Sequence, residues 1–190
     1  MESVIKLDEY YTYKDYCTWD DDERWELIDG KPYAMAPAPG WKHQSVSIEL
    51  VYQLRHFLKG HPCKVLASPI DVRLNANDKD DTIVQPDVIV VCDESKFEKN
   101  GKNIIGAPDF AVEIISPSTA IHDWVVKRDL YEKNGVKEYW ILDLKNKLLV
   151  VNLLENGKYI TKSYNEEDST VPIEVLEGCT IDLTEVFGEV

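Results

Sequence analysis

The chain has 190 residues, 44% of them hydrophobic, and a formal net charge of −14. That length supports one well-buried core and is short for two, so a single domain spanning residues 1–190 is expected. The charge argues against tight nonspecific binding to a polyanion, because nucleic-acid affinity comes largely from neutralised phosphates, and a nucleic-acid partner therefore requires a local basic rim.

Met1-Glu2-Ser3 opens into polar sequence unlike a signal peptide, and no apolar run reaches the ~20 residues that cross a bilayer, so a cytoplasmic, membrane-free protein is expected. Thr12 to Cys17 reads as a short helix behind a Thr cap, and Arg24 to Tyr33 as a hairpin turning at Asp29-Gly30. Pro37-Ala38-Pro39-Gly40 breaks the chain. From Lys42 to Lys59, Ile48, Val51, Leu54 and Leu58 recur at helical spacing. Cys63 to Ala67, Ile70 to Leu74 and Val84 to Cys92 read as strands of an antiparallel meander, with Asn75 to Asp81 as a turn. The strand Phe110 to Ile115 ends at Ser116-Pro117-Ser118-Thr119, and a helix from about Ala120 to Asn134 is closed by Gly135. Glu138 to Leu142 is the next strand, so the two strands are expected to be parallel neighbours in a βαβ unit. Lys147 to Leu153 and Lys158 to Tyr164 form a hairpin about Glu155-Asn156-Gly157, and Ile181-Asp182-Leu183 leads into a terminal turn. Cys17, Cys63, Cys92 and Cys179 are far apart with no CxxC pair, and read as reduced structural thiols rather than a zinc site.

An almost wholly apolar strand belongs in a buried sheet, where an ionised carboxylate is costly unless a metal, a partner or chemistry keeps it there. That singles out Asp87, leading into Val88 to Val91, and Glu113, which shares a strand face with Ile115. On the following helix Trp124, Lys127 and Tyr131 fall at i, i+3 and i+7, which sets Lys127 inside the apolar stripe. Each has a structural alternative: Lys127 pairing with Asp123 or snorkelling past Trp124, Asp87 capping a turn after Pro86, Glu113 bonded to backbone. Asp109, at a strand start after Pro108, fits a structural role. Two close carboxylates repel unless a hard cation lies between them, and oxygen ligands on adjacent strands suit Mg²⁺ or Mn²⁺ better than zinc. A nearby ammonium stabilises charge developing on a phosphoryl centre, which completes the parts of a metal-dependent phosphodiesterase.

These residues resemble the PD-(D/E)xK nuclease superfamily and in particular its Uma2 family of restriction-endonuclease-like proteins. The similarity runs from Trp25-Glu26-Leu27-Ile28-Asp29-Gly30 and His43 through Gln85-Pro86-Asp87 to Gly106-Ala107-Pro108-Asp109 and Glu113-Ile114-Ile115-Ser116-Pro117-Ser118. It continues in Asp123, Lys127, Leu130-Tyr131, Gly135-Val136, Glu138-Tyr139-Trp140 and Asp143. The resemblance implies an α/β fold, a mixed β-sheet core flanked by helices, with the N-terminal and C-terminal hairpins added to it. Asp87 then supplies the first acid and Glu113 the second, and both hold Mg²⁺ or Mn²⁺ with the Ile115 carbonyl. The pattern places its lysine two residues after the second acid, where this chain has Ile115, so the resemblance implies migration of that lysine to Lys127.

Two further positions carry weaker signals. His43 begins the first long helix on its inward face, either contacting a phosphate or protonating a leaving group, or serving as a hydrogen-bonded structural residue. The resemblance implies an extra acid near the first helix, and Glu26, in the entry strand, is expected to supply it in preference to Glu49 on the polar side of the helix. Tyr139-Trp140 read as packing rather than as a base-stacking platform. Lys42, Arg55, Lys59 and Lys64 near the first helix and Lys127, Arg128, Lys133 and Lys137 along the second offer a DNA-facing edge against a default of solvated surface.

The expected function is hydrolysis of DNA phosphodiester bonds by a metal-dependent endonuclease with weak DNA affinity. A homodimer is expected by analogy, with the apolar hairpins after Asp143 as its interface. The alternatives are a noncatalytic binding or oligomerisation module of the same fold in a defence or mobile-element context, and a hydrolase of small phosphate esters.

Overall fold

The computed structural model describes residues 5–20, 23–115 and 122–188. Helix α1 (Tyr13–Tyr16) is one turn, and the Asp15 carboxylate accepts both the Thr12 N–H, at 2.8 Å, and the Thr12 hydroxyl, at 2.7 Å. β1 (Trp25–Ile28) and β2 (Lys31–Ala34) form the expected hairpin. Its loop holds Asp29 at φ 46° and Gly30 at φ 77°, the left-handed pair that a two-residue turn requires. Glycine is needed at 30 for a second reason, since a Cβ there would lie 2.2 Å from the Tyr10 ring. Helix α2 (Trp41–Phe57) buries Val46, Leu50 and Leu54.

The next stretch departs from the expected meander. β3 (Lys64–Ala67) pairs with β6 (Val88–Val91), whereas β4 (Asp71–Arg73) pairs with β5 (Ile83–Val84) in a different sheet. The run Val84 to Cys92 is therefore two strands, broken at Gln85-Pro86-Asp87. Gln85 gives its N–H to the Glu26 carboxylate at 2.8 Å and Pro86 has none, so no ladder crosses this point. β7 (Asn103–Ile105), which the sequence does not announce, lies parallel to β4.

β8 (Phe110–Ile115) has the expected bounds and runs parallel to β9 (Glu138–Asp143). Between them, residues 116–121 lie outside the described residues, including Ser116-Pro117-Ser118-Thr119 and the start of the expected helix. The helix opens as a π-helical stretch, His122–Lys127, and continues as α3 (Arg128–Asn134), ending at Gly135 with φ 81°. β10 (Leu148–Glu155) and β11 (Lys158–Asn165) turn at Asn156-Gly157 as expected. β12 (Thr170–Pro172) pairs with β13 (Thr180–Asp182), and α4 (Leu183–Gly188) closes the chain where a simple turn was expected.

The central sheet has the order β11-β10-β9-β8-β6-β3 and separates two apolar cores. On one face Val88, Val90, Phe110, Val112 and Trp140 pack with Leu50 and Leu54 of α2 and Phe187 of α4. On the other, Ile89, Ala111, Ile115, Tyr139 and Ile141 meet Tyr131 of α3 and residues of the second sheet, β2-β1-β5-β4-β7. Tyr139 and Trp140 are fully buried, which agrees with packing. Leu149, Val150 and Val151 of β10 are spent on these same two cores rather than presented outward.

Two of the four cysteines differ from the expected reduced state. Cys63 and Cys92 form a disulfide, with sulfurs 2.06 Å apart, while Cys17 and Cys179 are free. The pairing Lys64↔Val91 sets residues 63 and 92 opposite each other across the β3–β6 ladder, a proximity invisible in a sequence where they stand 29 positions apart.

Candidate active site

The central sheet positions two acids by register. Val88 pairs with Val112 and Ile89 with Ala111, so one step further along the antiparallel ladder brings Asp87 opposite Glu113. Side chains alternate faces, which puts both acids on the face that carries Ile89, Ala111 and Ile115. Asp87 Oδ2 accepts the Ile114 N–H at 2.8 Å and lies 3.1 Å from His43 Nε2, at the first turn of α2. His43 thus meets the first acid from the opposite side of the sheet's end.

Glu113 is only 4% exposed, as are Glu26 and Lys127. Lys127 Nζ lies 2.8 Å from Glu113 Oε1 and 2.9 Å from Glu26 Oε1. One ammonium therefore joins an acid of the central sheet to an acid of the second sheet. Its buried position matches the apolar stripe inferred from spacing, and the residue one α-turn later shares the target: the Tyr131 hydroxyl donates to Glu113 Oε1 at 2.9 Å. Burial, and then the Glu113 charge, hold the Tyr131 phenol well above its ordinary pKa, so it stays protonated and keeps donating. A lone buried carboxylate costs several kcal/mol, and here the charge is met by the Lys127 ammonium and the Tyr131 hydroxyl.

The three acids, His43 and Lys127 line one cleft of about 1500 Å³. Glu26, His43, Asp87, Glu113, Ile115 and Lys127 contribute to its wall, so the structure brings every sequence-selected site residue together. Glu49 instead hydrogen-bonds Gln53 along α2. Asp109 accepts the Cys92 N–H at 2.8 Å and pairs with Lys137 at 2.6 Å, a structural assignment for the second Pro-Asp pair.

The basic edge is relocated. Lys133 pairs with Asp29, Lys137 with Asp109, and Lys64 lies 3.8 Å from Glu94. The cations that reach the cleft besides Lys127 are Arg24, Lys42, Lys145 and Lys147. Lys145 and Asn146 are held there by Asp143, whose carboxylate accepts both their backbone N–H groups, at 3.0 and 3.1 Å, and the Asn146 side chain. Sequence reasoning missed this turn, Arg24, Gln85 and the Tyr131 hydroxyl. Only Asp143 and the Gln85-Pro86-Asp87 motif carried any signal for them.

A fold with a mixed central sheet, a cleft at its strand ends, two acids in cross-strand register and a buried lysine beside the second acid is that of the restriction-endonuclease-like class. The family model of Uma2, described as "Putative restriction endonuclease", matches residues 8–184, and the chain belongs to that family. An uncharacterized protein of Synechocystis sp. is 26% identical over 160 residues, covering 82% of this chain and 80% of that protein. The crystal structure of "a putative nuclease belonging to DUF820" from Anabaena variabilis shares the fold, with a TM-score of 0.75 over 94% of this chain and 98% of that one at 21% identity. No described helix is long and apolar enough to cross a membrane.

Proposed function

We propose that this protein is an endonuclease that hydrolyses DNA phosphodiester bonds with Mg²⁺ or Mn²⁺ at Asp87, Glu113 and the Ile115 carbonyl. The observation that carries the reading is the joint placement of Asp87, Glu113 and Lys127 in one cleft, with the acids neighbours by strand register. Membership of Uma2 supports it.

The donor set fits a hard cation. It is all oxygen, and Asp87 Oδ1 makes no hydrogen bond among the described residues while Oδ2 is held by Ile114 and His43. No cluster of three His, Cys, Asp or Glu side chains stands ready for a metal among the described residues. Mg²⁺ is commonly held by one or two carboxylates together with water and substrate phosphate rather than by an all-protein cage. A divalent cation here supplies Lewis-acid polarisation of the phosphoryl group and lowers the pKa of a water.

The chain's own residues do the rest. Glu26 fixes the largely buried Lys127 ammonium, which stabilises the negative charge that develops on the phosphoryl group. His43 and the Ile114 N–H orient Asp87. The local charge is far less acidic than the chain as a whole, which supports a polyanionic substrate: the cleft wall sets Arg24, Lys42, Lys127, Lys145 and Lys147, the last paired with Glu166, against Glu26, Asp87, Glu113 and Asp143, on a chain whose net charge is −14. Cutting both strands of a duplex would draw on two copies of the site, which makes a homodimer part of the proposal.

Cleavage of plasmid and oligonucleotide DNA with Mg²⁺ or Mn²⁺ tests the reading. Asp87→Ala is expected to slow the reaction by about 100-fold or more while near-UV circular dichroism shows the fold retained. An Asp87→Ala protein as fast as wild type would end the proposal.

A further inference from the structure

Arg24 stands just before β1 with its main chain fixed, since its carbonyl accepts the Met35 N–H at 2.8 Å beyond the end of the β1–β2 ladder. Its Nη2 donates to Gln85 Oε1 and, at 3.3 Å, to Ser68 Oγ. Gln85 is anchored in turn: its Nε2 donates to Asp71 Oδ1 at 2.9 Å, and its main-chain N–H to Glu26 Oε1 at 2.8 Å. The same residue thus braces the arginine and the acid that holds Lys127.

The identity of these partners matters. Arg73, Lys133, Lys137 and Lys158 are each paired with a carboxylate. Arg24, on a chain with 35 acids against 21 lysines and arginines, is held by a carboxamide and a hydroxyl and makes no ion pair among the described residues. Its guanidinium is therefore oriented by neutral groups, with Asp71 a nearby charge rather than an ion-pair partner. The Nε and Nη1 hydrogens make no hydrogen bond among the described residues, and the exposed side chain lines the cleft that holds Asp87, Glu113 and Lys127. A guanidinium offers a planar fork of N–H donors matched to phosphate oxygens. Docking it in advance reduces the side-chain entropy that binding would otherwise cost.

We propose that Arg24 binds a phosphate of the nucleic-acid strand that occupies the cleft, and that Gln85 is its positioning residue. The inference rests on the reading of the cleft as a nucleic-acid site and adds the residue that grips the backbone there.

The test is binding of a fluorescein-labelled 20-base-pair DNA duplex by anisotropy, in EDTA so that no cutting occurs, across a salt series. Arg24→Ala is expected to weaken binding about 5-fold or more and to lower the slope of log affinity against log salt by about one. Gln85→Ala keeps the charge and loses the orientation, so affinity falls while the slope stays at the wild-type value, a split that a purely structural role would not produce. Lys133→Ala, remote from the cleft, serves as control and leaves both unchanged. Wild-type affinity and slope in Arg24→Ala, or no binding by wild type, would overturn the inference. Arg24-dependent binding without cleavage in Mg²⁺ or Mn²⁺ would retain it and remove the nuclease reading instead.

Discussion

Glu113 and Glu138 are buried carboxylates on neighbouring parallel strands, and the protein treats them in opposite ways. Register sets Glu138 beside Phe110 at the start of the β8–β9 ladder and Glu113 beside Ile141 further along it. Glu138 is fully buried and receives only neutral donors, Trp140 Nε1 at 2.6 Å and the Val175 N–H at 3.0 Å. Desolvation outweighs those bonds and raises its pKa to about 7. Glu113 is buried almost as deeply but meets an ammonium, a second acid across that ammonium, and a cleft. Burial alone marks a carboxylate as expensive; a fixed counter-charge and an opening to a cleft mark it as a candidate site residue. Asp87 and Asp109 repeat the contrast, one in the cleft beside His43 and the other tied to Lys137 and the Cys92 N–H.

The largest effect that would break this comparison comes from the counter-charge. Lys127→Met leaves Glu26 and Glu113 buried without their shared cation, and is expected to cost about 3–5 kcal/mol in urea unfolding at pH 7. A loss under about 1 kcal/mol would mean that the ammonium does not hold those charges in place.

At the other glutamate the sign is fixed by the raised pKa. Between pH 4.5 and about 7 the unfolded chain has released the Glu138 proton while the folded chain retains it, so stability falls as pH rises through that window. The loss amounts to about 3 kcal/mol, absent below pH 4.5 and complete above about pH 7. Glu138→Gln should flatten that part of the stability–pH curve; an unchanged slope would show that Glu138 is not the group responsible.

The smallest effect sharpens the Glu113 side. Tyr131→Phe removes one donor to that carboxylate and should cost about 1–3 kcal/mol, with no change in the pH 4.5–7 slope that belongs to Glu138. An altered slope would couple two regions that the structure keeps apart.

What the sequence disclosed follows the same physical divide. β8, the Gly135 end of α3, and the hairpins at Asp29-Gly30 and Asn156-Gly157 are set by local alternation, caps and left-handed turns, and they stand where local pattern puts them. Lys127 was legible because helical spacing placed a charge in an apolar stripe. The Cys63–Cys92 bond was not, because it depends on which strands pair across the sheet. Neither was the split at Pro86, since an apolar run reads the same whether one sheet or two receive it. Gln85 carried no signal of its role as brace, because its partners lie far from it in sequence, Arg24 and Glu26 at β1 and Asp71 at β4. The Tyr131 hydroxyl was hidden behind a ring that reads as packing.

On the proposed reading a divalent cation binds at the cleft acids and not at buried acids in general. Isothermal titration of Mn²⁺ into wild type, Glu113→Gln and Glu138→Gln at pH 7 tests it most directly. Binding to wild type and Glu138→Gln that is lost in Glu113→Gln is the predicted result; no binding to wild type, or equal binding to all three, would contradict it.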